Sequence, residues 1–340
     1  MNPTVERAAD RSDVAGHAAA DDVATLNTSD ADVAAVSVVM PAFNEEAAVA
    51  DQIEQVEMAL RHCGVAYEVI VVDDGSTDRT LEHASRHDVR IVRLPENRGY
   101  GAALKAGVAA AQYEYVVIID ADGTYPAEAI PELLHHAARY DMVVGARTGR
   151  SVHIPLLRRP AKWLLSRLAS YLAQRRIPDL NSGLRIIRRS IVGEFEHLLP
   201  AGFSFTTTIT LAHLCNDYRV CYQPIDYHKR IGKSKIRLSH PYQFLVQILR
   251  IMVYFNPLRV FLPLGAILFL LGLGKLARDL VTLNISDGAT MAVLAAVIVW
   301  AIGLLADQNA RMSRCHARRF VVPNQPVSNQ RSAISDQPFV

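Results

Sequence analysis

Two carboxylates one residue apart follow a short apolar run: Val116–Ile119 leads into Asp120-Ala121-Asp122-Gly123. Gly123 permits a bend that turns both side chains toward one cleft. Hard carboxylate oxygens suit Mg2+ or Mn2+, and such an ion in turn binds diphosphate oxygens. A second acidic turn, Asp73-Asp74-Gly75-Ser76-Thr77-Asp78, follows Val69–Val72. One of Asp73 and Asp74 is suited to accept hydrogen bonds from a base or ribose. Ser76, Thr77 and Asp78 also read as the N-cap of a helix beginning at Thr80. A third apolar run, Val36–Met40, ends in Pro41-Ala42-Phe43-Asn44-Glu45-Glu46, a loop and then a helix start. Gly99-Tyr100-Gly101 imitates a dinucleotide fingerprint. The position of its third glycine holds Leu104, however, and the run lies outside the first βα unit, so a nicotinamide site is not expected.

These loops need a scaffold, and the runs that precede them supply it. With Ile91–Leu94 and Met142–Val144 they alternate with amphipathic stretches such as Ala47–Arg61 and Thr80–Arg86. Strands that are apolar throughout predict an α/β fold with a parallel sheet covered on both faces. Ligands of such sheets bind at the carboxyl ends of the strands, where all three loops lie. Composition agrees: 340 residues, 50% hydrophobic and 21% charged, exclude a chain disordered throughout. Four cysteines without paired Cys/His spacing exclude a disulfide scaffold or zinc site. Residues 1–35 carry two Arg against seven acids and lack aromatics; they read as a disordered leader without the pattern of a secretory signal.

Beyond Tyr227 the chain changes character. Neither Asp nor Glu occurs between Asp226 and Asp279. Leu258–Gly274 and Ala289–Leu305 are apolar segments at the short end of what crosses a ~30 Å hydrocarbon core. A pair of buried core helices would show the same composition. Charge-free interiors favour a membrane hairpin. Basic flanks (Lys229, Arg230, Lys233, Lys235 and Arg237 before; Arg311, Arg314, Arg318 and Arg319 after) place both ends, and the α/β domain, on the cytoplasmic side. Tyr242–Phe255 reads as an interfacial helix.

The loops above occur in the order found in family 2 glycosyltransferases of the GT-A fold, with Val71-Val72-Asp73-Asp74-Gly75-Ser76-Thr77-Asp78, Asn97-Arg98-Gly99-Tyr100-Gly101 and Asp120-Ala121-Asp122-Gly123 carrying the likeness. Asp179-Leu180-Asn181-Ser182-Gly183-Leu184-Arg185 and Tyr227-His228-Lys229-Arg230-Ile231-Gly232-Lys233-Ser234-Lys235 resemble two segments of the polyprenyl-phosphate (dolichyl-phosphate) sugar synthase branch. The resemblance implies a GT-A-type, Rossmann-like, mostly parallel sheet with helices on both faces, an interfacial helix and two C-terminal transmembrane helices. It divides the chain into a leader (1–35), a glycosyltransferase domain (36–240), an interfacial helix (241–256), a transmembrane hairpin (257–306) and a cytoplasmic basic tail (307–340). Pro41, Ala42, Asn44, Glu45, Lys105, Ala121 and one of Asp73 and Asp74 would line the nucleotide pocket. Asp120 and Asp122 would hold Mg2+ or Mn2+ and the diphosphate. Arg147, Arg158, Arg159 and Lys162 fall where the family binds phosphate, Asp179 joins the catalytic set, and Arg230 and Lys235 would close over the site from the membrane side. Two positions depart from the family pattern: Thr124 replaces a usual Gln, and Phe203-Ser204-Phe205-Thr206-Thr207-Thr208 has hydroxyls where a carboxylate is usual.

The function implied is inverting transfer of a sugar from a nucleoside diphosphate donor to a polyprenyl phosphate. Another lipid or glycan acceptor, or a catalytically silent membrane scaffold, are the alternatives. A processive polysaccharide synthase would carry a QxxRW element, which Gln174-Arg175-Arg176-Ile177 does not match. Residues 145–189 hold eleven Lys or Arg against one acid, Asp179. Beside a membrane hairpin this suits a lipid phosphate and not nucleic acid. The partners expected are therefore donor, acceptor and membrane lipid, with homo-oligomer formation left open.

Overall fold

The computed structural model describes residues 33–149, 159–202, 204–229, 240–282 and 287–320. Its first half runs β1 (Ala35–Ala42), α1 (Val49–Cys63), β2 (Ala66–Asp73), α2 (Thr80–Ala84), β3 (Arg90–Arg93), α3 (Tyr100–Ala110), β4 (Tyr115–Ile118), α4 (Ile130–Ala137) and β5 (Met142–Ala146). There follow α5 (Arg159–Ala173), β6 (Arg185–Arg188), α6 (Arg189–Glu194), α7 (Phe205–Cys215), β7 (Val220–Pro224), α8 (His240–Phe255), α9 (Leu258–Val281) and α10 (Asp287–Phe320).

The seven strands form one sheet in the order β3-β2-β1-β4-β6-β5-β7. All five strands expected from apolar runs are present, and the sheet is mostly parallel. Two further strands complete it. Strand β6 runs antiparallel between β4 and β5, and β7 lies parallel to β5 at the edge. Neither advertises itself, since β6 reads Arg-Ile-Ile-Arg and β7 is only partly buried. Successive residues of the inner strands enter opposite cores. Val39, Ile70, Val116 and Ile118 join α3, α5, α7 and α8 on one face; Val38, Val71, Val117 and Ile119 join α1 and α4 on the other. Burial on both faces is why these strands are apolar without alternation.

The N-terminal boundary needs correction. Residues 1–32 lie outside the described part, but Val33 is buried and β1 begins at Ala35, so residues 33–35 belong to the fold. Helix α8 is also more than a surface element. It buries Ile248, Ile251, Met252 and Phe255 in the core it shares with α5 and α7, and exposes Leu249, Val253 and Tyr254. One face of a 3.6-residue period thus belongs to the α/β domain.

Helices α9 and α10 are each long and apolar enough to cross a membrane. With 24 residues α9 spans about 36 Å, more than the hydrocarbon core requires. The pair packs antiparallel through small residues: a Cβ on Gly265 would meet the Trp300 indole at 2.3 Å, and one on Gly303 would meet Phe261 Cβ at 2.6 Å. The Trp300 indole donates to the Leu262 carbonyl at 3.2 Å, an interhelical bond suited to an apolar setting. Helix α10 continues past the expected hairpin boundary, through the polar residues after Leu305, to Phe320.

A buried histidine on α7 makes stability depend on pH. His213 is fully buried between Phe195 and Tyr218, with Nδ1 2.8 Å from the Ile209 carbonyl and Nε2 unpartnered. Burial pushes its pKa down to about 4. The unfolded chain therefore binds a proton that the folded chain refuses. Stability contributed by neutral His213 is complete above the ordinary value of about 6.5 and is lost as pH falls from there to about 4, a total of roughly 3 kcal/mol. Thermal melts of wild type should fall steeply over that window. His213→Phe should show a shallower slope, and equal slopes would remove His213 as the cause.

Candidate active site

Strand order reverses at β1, with β2 and β3 on one side and β4 on the other, so a crevice opens at their carboxyl ends. The loops after β1 and β2 are tied across it. Asn44, at φ 52°, receives the Ser76 hydroxyl as acceptor of its N–H (3.0 Å), and its Oδ1 accepts the Thr77 N–H (2.8 Å). The Glu45 N–H donates to Thr80 Oγ1 (2.8 Å) and the Glu46 N–H to Asp78 Oδ2 (3.2 Å). The expected cap is displaced: Arg79 holds the N-cap position of α2 without a side-chain cap bond, while Asp78 Oδ1 accepts the Thr80 N–H at 3.0 Å and Ser76 and Thr77 serve the first loop. Pro41 and Ala42 pair in register with Val72 and Asp73 at the ends of β1 and β2.

The two adjacent aspartates separate into different roles. Both oxygens of Asp74 are engaged by backbone, Oδ1 by Arg98 N–H (2.8 Å) and Oδ2 by Gly99 N–H (2.9 Å). Asp74 therefore fastens the loop after β3 to that after β2. Asp73 Oδ1 accepts the Ser76 N–H (2.9 Å), but its buried Oδ2 has no hydrogen-bond partner, with Arg93 Nε 3.8 Å away. Of the pair, Asp73 keeps a free acceptor.

Beyond β4, Gly123 takes φ 72°, the bend its residue type permits. Asp120 Oδ1 accepts the Tyr100 hydroxyl at 2.8 Å. Burial, and then Asp120, raise the Tyr100 pKa well above its ordinary value, so the hydroxyl remains a donor. Gly183 lies against the same carboxylate: a Cβ there would sit 2.5 Å from Asp120 Oδ2. Asp122 is buried and its Oδ1 accepts both the N–H (3.1 Å) and the hydroxyl (2.6 Å) of Thr124. Ala121 between them is buried in the core. Among the described residues no third Asp, Glu, His or Cys joins the pair as a metal group. Two carboxylates fit Mg2+ or Mn2+, ions that take one or two protein carboxylates and fill their remaining positions with phosphate oxygens and water.

Arg147 follows β5 and is held rigidly. Its Nε and Nη2 donate to the two oxygens of Asp179 at 2.7 and 2.8 Å, and its N–H reaches Asp179 Oδ2 at 3.1 Å. The guanidinium lies 5.1 Å from the centroid of the Tyr227 ring. Asp179 is fully buried, and both of its oxygens accept from Arg147. The Lys105 ammonium donates to the Leu199 carbonyl (3.2 Å). Arg159 and Lys162 occupy the first turn of α5, with side chains outside the described part. Arg158, Arg230 and Lys235 also lie outside it. The His228 N–H donates to the Thr124 carbonyl (2.9 Å), so the chain leading to Arg230 departs from beside Asp122. In the hydroxyl-rich segment, buried Thr207 donates to Asn181 Oδ1 at 2.5 Å.

Sequence reasoning did not assign Tyr100, Tyr125, Gly183 or Tyr227 a place here. Gly183 and Arg185 belong to a motif that was visible, but its physical content was not. Arg185 is fully buried and donates Nε to the Ser182 carbonyl (3.1 Å) and Nη1 to Thr210 Oγ1 (3.1 Å) and the Thr206 carbonyl (3.3 Å). It locks the start of β6 to α7, and so fixes the glycine that abuts Asp120.

Residues 37–195 match the pattern of glycosyl transferase family 2, and residues 256–312 that of the GtrB C-terminal hairpin. A dolichyl-phosphate hexose transferase of Haloferax volcanii is 34% identical over 203 residues, covering 59% of this chain and 86% of that protein. The chain belongs to glycosyl transferase family 2. A dodecaprenyl-phosphate galacturonate synthase of Rhizobium johnstonii is 29% identical over 305 residues, 81% of this glycosyltransferase and 88% of its relative, and so extends the likeness through the hairpin. Glucosyl-3-phosphoglycerate synthase from Mycobacterium tuberculosis, solved with Mn2+, uridine diphosphate and phosphoglyceric acid, superposes with a TM-score of 0.54 at 21% identity over 64% of this chain and 78% of that one. That likeness confirms the GT-A fold expected of the glycosyltransferase.

Because Gly183 leaves no space beside Asp120, Gly183→Ala in this glycosyltransferase must displace the carboxylate. An ångström of misplacement costs roughly a hundredfold in rate. Turnover should fall by that order while the melting temperature stays near that of wild type; near-normal turnover would show that Asp120 tolerates movement.

Proposed function

We propose that the chain transfers a glycosyl group from a nucleoside diphosphate sugar to a polyprenyl phosphate at the cytoplasmic face of a membrane. The carrying observation is the joining of a family 2 domain to a GtrB-type hairpin through α8, whose inner face is part of the catalytic core. The relatives named above as acting on lipid-linked phosphates support the acceptor class.

The residues divide the work by position. Asp73 Oδ2 is suited to accept a hydrogen bond from the donor's base or ribose, and the loop of Asn44 and Glu45 forms the adjoining wall. Asp120 and Asp122 would hold Mg2+ or Mn2+, which when bound neutralises charge on the departing diphosphate. Arg147, already aligned by Asp179, offers its cation to a phosphate in the cleft. Arg159, Lys162, Arg230 and Lys235 are proposed to complete the acceptor phosphate site from the membrane side. An acceptor phosphate oxygen is ionised at neutral pH, so the chain needs no strong general base. Positioning and charge neutralisation suffice for direct displacement at the anomeric carbon, with inversion.

The test is incubation of the full-length protein, in membranes, with labelled nucleotide sugars and polyprenyl phosphate, followed by organic extraction. Label should enter the lipid phase. EDTA, Asp120→Asn and Asp122→Asn should each reduce this by on the order of a hundredfold or more. Undiminished transfer in the doubly substituted, metal-stripped protein would refute the site. Failure of every sugar to label lipid would refute the acceptor class.

A further inference from the structure

A polar cavity lies where the α/β domain meets α9. Its volume is about 350 Å³, and its walls come from the ends of α5 and α7 and the turn into α9. Arg175, Asp217, Asn256 and Arg259 are among the residues that line it. Asp217 precedes Arg219, whose carbonyl accepts the Met142 N–H at 3.2 Å. The cavity therefore sits toward the amino ends of β5 and β7, away from the cleft at the carboxyl ends of the strands.

Its charges are of both signs. Arg259 belongs to the first turn of α9, and its Nη1 donates to the Leu172 carbonyl at 2.5 Å. A guanidinium carries five N–H donors, and that carbonyl takes one. Arg175 and Asp217 are exposed. Among the described residues no ion pair joins Asp217 to either arginine, although all three line one cavity. The last residues of α5 and α7, Ala173 and Cys215, line it as well, and a helix ends in free carbonyls with a partial negative charge. A simple anion would meet Asp217 and two helix ends. A simple cation would meet two arginines. A ligand that bears both a phosphate and an ammonium group satisfies both sets.

The place of the cavity says what carries those groups. Helix α9 is longer than the hydrocarbon core requires, which leaves its first turn, and Arg259 with it, at the level of the lipid head groups. Leu262, one turn further along α9, is exposed and offers an acyl chain a surface. We propose that this cavity binds the head group of a bilayer phospholipid that bears a phosphate and a primary ammonium. Arg259 and Arg175 take the phosphate, and Asp217 takes the ammonium. A primary ammonium has three N–H donors for Asp217 and the helix-end carbonyls, where a quaternary one has none. The inference rests on α9 entering a bilayer and is independent of the transfer reaction.

The experiment counts lipid bound to the full-length protein in detergent micelles by native mass spectrometry. Dioleoyl phosphatidylethanolamine, phosphatidylglycerol and phosphatidylcholine are titrated separately. The first phosphatidylethanolamine should bind on the order of tenfold more tightly than either other lipid, the difference expected of a charge-assisted hydrogen bond. Asp217→Asn removes the charge and keeps the backbone, because Asn adopts the left-handed φ of 62° found there as readily as Asp does. It should abolish the preference and leave phosphatidylglycerol no weaker than before. Arg175→Gln and Arg259→Gln should weaken all three lipids by a similar factor, since all three carry the phosphate. Arg259 also holds the end of α5, so Arg175→Gln and Asp217→Asn decide the matter if Arg259→Gln does not fold. Free phosphoethanolamine, which lacks the acyl chains, should not displace the lipid at equal concentration. Equal affinity for the three lipids in wild type, a preference that survives Asp217→Asn, or displacement by free phosphoethanolamine would each overturn the proposal. Lipid-linked product is read in a separate assay, so failure of the acceptor assignment leaves this result to stand or fall by itself.

Discussion

A carboxylate leaves water only when donors replace its hydration, and the cleft of this protein is organised by that requirement. Asp74 is buried because the Arg98 and Gly99 N–H groups take its two oxygens, and this brings the loop after β3 onto the loop after β2. Asp179 is buried because Arg147 supplies a two-point bond, and this presents the guanidinium at the end of β5. Asp78 is satisfied by Thr80 and Glu46, and this joins the loop after β2 to that after β1. In each case the acid organises the segment that supplies its donors. The acids proposed for chemistry, Asp73 through Oδ2 and the Asp120/Asp122 pair, stand among the loops that the others join.

That division explains what was legible in the sequence. Unbroken apolar runs gave β1, β2, β4 and β5 because burial on both faces leaves no polar alternation to confuse the pattern, and the loops at their ends could be read directly. Strand β6 offers only Ile186 and Ile187 as an apolar run, too short to stand out. Arg185 is apolar in neither composition nor pattern, yet it is fully buried, its donors met by the Ser182 and Thr206 carbonyls and Thr210. The roles of Asp73 and Asp74 could not be separated from type and spacing, because the distinguishing donors come from residues 98 and 99, a loop away. For Asp179 the sequence shows a carboxylate near a phosphate-binding motif, while only the fold shows that both of its oxygens accept from Arg147.

The membrane part and the catalytic part are linked by burial and not by a flexible tether. Helix α8 contributes Ile248, Ile251, Met252 and Phe255 to the core, and the chain passes through Asn256-Pro257 directly into α9. Arg259 in the first turn of α9 donates to the Leu172 carbonyl at the end of α5 at 2.5 Å. A fully buried side chain of this kind is worth roughly 2 kcal/mol, so four of them resist separation of α8 from α5 and α7 far beyond thermal energy. The hairpin is therefore held in a fixed relation to α8, and α8 to the sheet.

This rigidity bears on how a lipid phosphate can reach a cleft at the carboxyl ends of strands. The fixed groups at that cleft, Arg147 and the two carboxylates, sit on a frame that small displacements would disrupt, as the 2.5 Å approach of a Gly183 Cβ to Asp120 shows. At the edge of that frame the His228 N–H donates to the Thr124 carbonyl at 2.9 Å, and the Tyr227 ring lies 5.1 Å from the Arg147 guanidinium. The chain thus leaves β7 against two of the loops that carry the cleft, those after β4 and β5, so a rigid cleft and the segment that leads toward α8 share one boundary.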